Sequence, residues 1–214
     1  MPASLSTILA VIAFVPLPQN ETFETPEAAK ADPAFAIQGE YVKDGSGIQI
    51  VAQGDEDFLI VIFKGGLPGE GWNGRDRQSL EGDLDDIADL TEGYTRVERK
   101  SSTLGAKPPS DAVVLFDGTN ESLSHWDDGA KITDDGLLIQ GVTSKDRFQD
   151  FRIHLEFRTP YKPRARGQGR GNSGLYYQGR YETQVLDSFG LTGEQNETGV
   201  HRAGHERVPR FRGL

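Results

Sequence analysis

Phe151-Arg-Ile-His-Leu-Glu-Phe-Arg158 alternates without a break. Phe151, Ile153, Leu155 and Phe157 fall on one side of an extended chain, and Arg152, His154, Glu156 and Arg158 on the other, the period of two that a half-buried β-strand requires. Working outward, Leu175 to Leu186 reads as a second long strand with Gln178, Arg180, Glu182 and Gln184 on one face. Ala112-Val-Val-Leu-Phe116 and Leu137-Leu-Ile-Gln140 read as shorter strands, and Tyr161 to Gly171 as a flexible, basic, Gly-rich loop. No stretch of this half has a helical period, so the expected class is all-β. Joined in one curved sheet, the two polar faces would line a groove; left apart, they would be ordinary solvated faces.

The first half has its own strand signals. Phe35 to Val42, Gly47 to Ala52 and Phe58-Leu-Ile-Val-Ile-Phe63 are separated by Gly and Asp clusters. The third run is apolar on both faces, which predicts an interior strand covered from two sides. Gly65 to Gly71 reads as a loop, Trp72 to Asp89 as an acidic stretch, and Tyr94 to Arg99 returns to alternation. Residues 35–100 are therefore expected to form a small antiparallel β domain, 101–111 a Pro-ended connector, and 112–199 a second β domain. Residues 20–34, acidic and rich in Ala, read as a linker or short helix.

Composition narrows the partners. With 23 Lys and Arg against 33 Asp and Glu, the formal charge is −10. An acidic chain lacks the basic stripe that phosphate backbones need, so nucleic acid is not expected as a partner. A neutral ligand such as a sugar fits, because carboxylates, amides and guanidinium groups match paired hydroxyls. The absence of cysteine excludes a disulfide framework, Cys-ligated zinc and thiol catalysis. The apolar run Ile8 to Leu17 has the length of a signal-peptide core and is too short to span a bilayer. Residues 1–19 are read as a leader, with no membrane insertion of the mature chain and a secreted, periplasmic or cell-envelope location in a bacterium.

One resemblance joins these pieces. Val114-Leu-Phe-Asp-Gly-Thr119, Trp126, Thr143-Ser-Lys145, Asp150 to Arg158, Asn172-Ser-Gly-Leu-Tyr176 and Tyr181-Glu-Thr-Gln-Val-Leu-Asp187 follow one another. Their order resembles the opening of the 3-keto-disaccharide hydrolase domain, from about residue 112 to Gly199. The stretch Ile37 to Tyr41 with Gly65 to Trp72 is similar to a small β domain that often precedes it in secreted proteins. The resemblance implies a concanavalin-like jelly-roll sandwich, here partial, since the family-like pattern ends at Gly199. Residues 200–214, rich in Arg and His, then read as an atypical tail of a truncated or frame-shifted, inactive chain.

The same resemblance implies a hydrolase acting on glycosidic bonds of 3-keto disaccharides or glycosides. A ketone at C3 acidifies the hydrogen on C2, and a base removes it while the C1 substituent leaves. The catalytic candidates are Glu156, Glu182 and His154. Lys145 and Arg158 would contact the enolate or hydroxyls, and Asn172, Gln184 and Asp187 would bind substrate. No cofactor is required outright; a divalent metal ion is one way to stabilise the enolate, with its ligands unassigned. A two-carboxylate glycosidase using Glu156 and Glu182 is the neighbouring alternative. From other classes, a non-catalytic carbohydrate-binding module of the cell envelope and a structural envelope protein stay open.

Overall fold

The computed structural model describes residues 21–191, residue 198, and the backbone of 201–203 and 206–207. The expected leader and most of the tail lie outside the described residues. The chain divides into two compact units, one made of Met1–Val97 with Thr159–Leu214, the other of Glu98–Arg158. The all-β reading holds: the described strands form two antiparallel sheets, and the helices are short.

In the first unit, two short helices come first. α1, Pro26–Ala29, is capped by the Thr25 side chain, and α2, Pro33–Ile37, by Asp32, each with Pro in its first turn. This corrects the strand expected from Phe35. An Asp-Pro start favours helix over Pro33–Ile37, and the strand β1 begins only at Gly39, running to Lys43. β2, Ser46–Gly54, and β3, Asp57–Lys64, follow as expected. The acidic stretch holds two elements that composition concealed. These are β4, Arg77–Gly82, and α3, Leu84–Leu90, the latter fixed by a reciprocal capping box between Asp83 and Asp86. β5, Thr95–Val97, closes the sheet in the order β4-β3-β2-β1-β5.

Register explains why this sheet is buried on both sides. Ile48 pairs with Ile62, Ile50 with Ile60 and Ala52 with Phe58, so one face is continuously apolar. Phe23, Ala29, Ala34, Ile87 and Tyr161 cover it. The other face carries Leu59, Val61 and Phe63, packed with Leu67, Val42, Val97 and Trp72, whose ring meets Phe63 edge-on at 5.1 Å. Gly190 also lies against Val51 and Val61 on that side. β3 is thus an interior strand covered twice, as its two-faced apolar run predicts.

The second sheet has the order β6-β7-β8-β9, with β6 Asn172–Tyr177, β7 Tyr181–Leu186, β8 His201–Ala203 and β9 Glu206–Arg207. The single strand expected over 175–186 is instead a hairpin. Gln178 and Gly179 both take left-handed backbone conformations, so the chain reverses there, and Gln178 and Arg180 belong to the turn. The loop from Tyr161 to Gly171 is not left free either. Arg164 pairs with Asp55, Arg166 Nη2 donates to the Gln53 carbonyl and side-chain oxygens at 2.9 Å, and Arg170 pairs with Asp187. Tyr161 donates to Asp32 at 2.9 Å in the core, and burial, then Asp32, push its phenol pKa up.

The second unit corrects the sequence reading most. Residues 112–116, 137–140 and 151–158 form no strands; a 3-10 helix over Glu121–His125 and isolated bridges, Trp126 with Ser144 and Ile132 with Leu138, organise the segment. Phe151, Ile153, Leu155 and Phe157 are 47%, 43%, 49% and 51% exposed, so they are not core. Alternation assigns two faces to an extended segment, but a strand exists only when a neighbour completes its ladder. Residues 151–158 join neither described sheet, and the shared polar face expected for Arg152, His154, Glu156, Glu182 and Gln184 is not formed.

Candidate functional site

The β6–β7 hairpin brings three of the expected residues to one face. Antiparallel register sets Asn172 opposite Leu186, Gly174 opposite Gln184 and Tyr176 opposite Glu182. Directly opposite residues in such a ladder share a face, so Asn172, Gly174, Tyr176, Glu182 and Gln184 all lie on the same side. Gln184 is buried and gives both Nε2 hydrogens away, one to Asn172 Oδ1 at 3.0 Å and one to Gln168 Oε1 at 3.1 Å. Asn172 Nδ2 in turn donates to the carbonyl and side-chain oxygens of Gln168. Gln184 therefore holds Asn172 in place, and the more exposed Asn172 amide is the polar group presented outward.

Glu182 is the carboxylate of this face. Its side chain lies across Gly174: a methyl at 174 would fall on Oε1 and within 2.9 Å of Cδ. The carboxylate is half-buried and has no hydrogen-bond partner among the described residues. An unengaged carboxylate beside a satisfied amide network can accept a proton without breaking an internal bond. Tyr176, 63% exposed, stands opposite it in register.

Asp187, at the end of β7, has a different job. Arg170 Nε and Nη2 reach its two oxygens at 3.1 and 2.8 Å, and Arg170 Nη1 donates to the Phe189 carbonyl at 2.9 Å. With Arg170 side chain 7% exposed and Asp187 17%, this is a nearly buried fork-to-fork pair that anchors the hairpin.

The remaining expected residues sit in the second unit. His154 Nε2 lies 3.1 Å from Glu156 Oε1, and the Gly105 N–H donates to the same oxygen at 2.6 Å. His154, then Gly105, hold the Glu156 carboxyl below the usual carboxylate range, so it is ionised near neutral pH. Arg158 Nη1 donates to Asp135, whose other oxygen accepts from Thr133 Oγ1; these two bonds lower the Asp135 pKa to about 2. Lys145 Nζ is 3.6 Å from Asp128 Oδ1.

A further pair here had no signal in the sequence. His125 Nδ1 lies 2.6 Å from Asp146 Oδ2. The Trp126–Ser144 bridge and the Lys145 N–H to His125 carbonyl bond align the two segments. Twenty-one residues separate the partners, and neither belongs to a periodic segment, so only the fold reveals them. Among the described residues, no group of three His, Asp or Glu side chains is arranged to hold a metal ion. No described helix is long and apolar enough to cross a membrane.

No curated protein and no solved structure matches the chain. One family model matches, and it covers the second unit from residue 111 onward and the whole β6–β7 hairpin that carries Glu182. Residues 111–209 match the model of the 3-keto-alpha-glucoside-1,2-lyase-like domain, so this part of the chain is similar to a glycoside-related family.

Proposed function

We propose that the chain acts on glycosides bearing a ketone at C3, with Glu182 as the general base. The observation that carries this reading is the half-buried Glu182 carboxylate, unpartnered among the described residues and lying over Gly174 on the face that presents Asn172. In the reaction, Glu182 takes the proton from C2. The C–H electron pair passes into the carbonyl as an enolate, which collapses to a C1–C2 double bond and expels the C1 oxygen substituent. That substituent leaves with the bonding pair and is protonated; water adding at C1 completes a net hydrolysis. A positioned base contributes about 10²–10⁴-fold.

Asn172, oriented by Gln184, would hold a sugar hydroxyl. Glu156 with His154 is the alternative base, already ionised, and Arg158 and Lys145 are proposed contacts for substrate oxygens. Export to the envelope or beyond belongs to the same proposal and is supported by the apolar run Ile8 to Leu17.

The test is incubation with a 3-keto disaccharide, following release of the free sugar. Glu182→Gln is expected to reduce release by about 10²–10⁴-fold. Full activity in Glu182→Gln with loss in Glu156→Gln would move the base to Glu156. Sugar binding without turnover by the unaltered protein would show a binding module instead.

A further inference from the structure

The face that carries Glu182 also carries a side chain to which no role has been given. Tyr176 is directly opposite Glu182 in the β6–β7 ladder and is 63% exposed, an unusual degree of exposure for an aromatic ring on a paired strand. Two residues back along the same face, about 7 Å away, comes Gly174. It has no side chain, and the space a methyl would fill is taken by Glu182 Oε1 and Cδ. Beyond it stands the Asn172 amide. The face thus runs from an aromatic ring, past a carboxylate laid over bare backbone, to a fixed amide.

From this sequence of groups we infer that Tyr176 is the stacking platform for a pyranose ring and that Gly174 is the positioning residue that sets the Glu182 carboxylate beside it. The inference rests on the reading of Glu182 as the base. A sugar ring has an apolar C–H face and a polar hydroxyl rim. The first suits an aromatic surface, and the second suits the amide and carboxylate two to four residues along. A Cβ at 174 would meet Glu182 Oε1, Cδ and Cγ, side-chain atoms rather than backbone, so Gly174→Ala is expected to move the base from Cγ outward while the hairpin's ladder stays in place.

The experiment has two arms. In the first, methyl 3-keto-α-glucopyranoside is titrated into the isotope-labelled protein, and the Tyr176 ring and hairpin amide resonances are followed. Shifts centred on Tyr176 are expected, and their absence at saturating sugar overturns the inference. In the second, KM and kcat are measured on a 3-keto disaccharide. Tyr176→Ala raises KM about five- to tenfold with little change in kcat, Tyr176→Phe retains the original KM, and Gly174→Ala lowers kcat at least tenfold at unchanged KM. An unchanged KM in Tyr176→Ala, or an unchanged kcat in Gly174→Ala, overturns the corresponding assignment. Should the unaltered protein bind the sugar through Tyr176 yet turn nothing over, the platform stands and the reading of Glu182 as a base falls.

Discussion

Phe58 to Phe63 and Phe151 to Phe157 are two runs of strand-like sequence with opposite fates. The first becomes β3, with Phe58, Ile60, Val61 and Phe63 at 1% exposure or less. The second, the more regular of the two, is an exposed segment outside both sheets. The difference is one of partners. β3 has β2 and β4 beside it, and a helical layer and a glycine-rich loop across its faces. Patterning states which side chains would be covered together; it does not supply the cover.

The largest expected effect tests this contrast directly. Phe58→Ala should cost about 3–5 kcal/mol, by loss of transfer energy and creation of a cavity. Phe157→Ala, at an exposed site, should stay within about 0.5 kcal/mol. Urea unfolding of both variants measures the pair, and a Phe157 cost near that of Phe58 would erase the distinction.

Next comes the Arg170–Asp187 pair. Arg170→Met removes one partner of a nearly buried ion pair and leaves the Asp187 carboxylate uncompensated, at a cost of about 3 kcal/mol. The double variant Arg170→Met with Asp187→Leu should regain most of it. If the single variant is neutral, the pair does not anchor the hairpin.

The Asp32–Tyr161 bond gives a smaller effect with a sign set by pH. The folded phenol pKa is raised above the ordinary 10.0. The neutral phenol's contribution is therefore complete below pH 10 and lost as the pH rises beyond it. Tyr161→Phe should cost about 1–3 kcal/mol at pH 7 by leaving Asp32 short of a donor, and should flatten the alkaline limb. Absorbance of tyrosinate checks this: one of the six tyrosines should resist ionisation until the protein unfolds.

The smallest effect belongs to the second unit. Asp135 and Glu156 both have lowered pKa values, the first about 2 from an ordinary 3.8. Their contribution is present above the ordinary carboxylate range and lost as pH falls through the folded values, between about pH 4 and 2. Both groups are exposed, so solvent screening keeps the loss small, and it falls on Glu98–Arg158 and not on the first unit's strands. Carboxyl carbon resonances would show two lowered midpoints, and Asp135→Asn should remove one.

Much of this could be read from the residues alone. β2 and β3 followed from alternation and two-faced apolarity, and the shared face of Glu182 and Gln184 followed from the alternation of the run that holds them; that Asn172 joins them shows only in the register of the hairpin. β4 and α3 escaped notice because Asp and Glu conceal both a short edge strand and a capped helix. The reversal at Gln178–Gly179 escaped because residues on either side keep a strand-like composition. Gly174 and Tyr176 became informative only through register, which no single strand carries. The His125–Asp146 pair depends on two bridged loops, a contact without sequence period.

The cover over β2 and β3 has a consequence in time. One face needs Tyr161, bonded to Asp32 across 129 positions; the segment at the other includes Leu191, bonded to Arg77 across 114. All five strands of the first sheet are complete by Val97, yet Gly190 is 93 residues further along the chain. At translation rates of about 5–20 residues per second, the sheet waits on the order of 5–20 s with part of an apolar face uncovered. A nascent chain in that interval presents Val51 and Val61 to whatever is nearby, so chaperone capture and aggregation should be decided before residue 190 emerges.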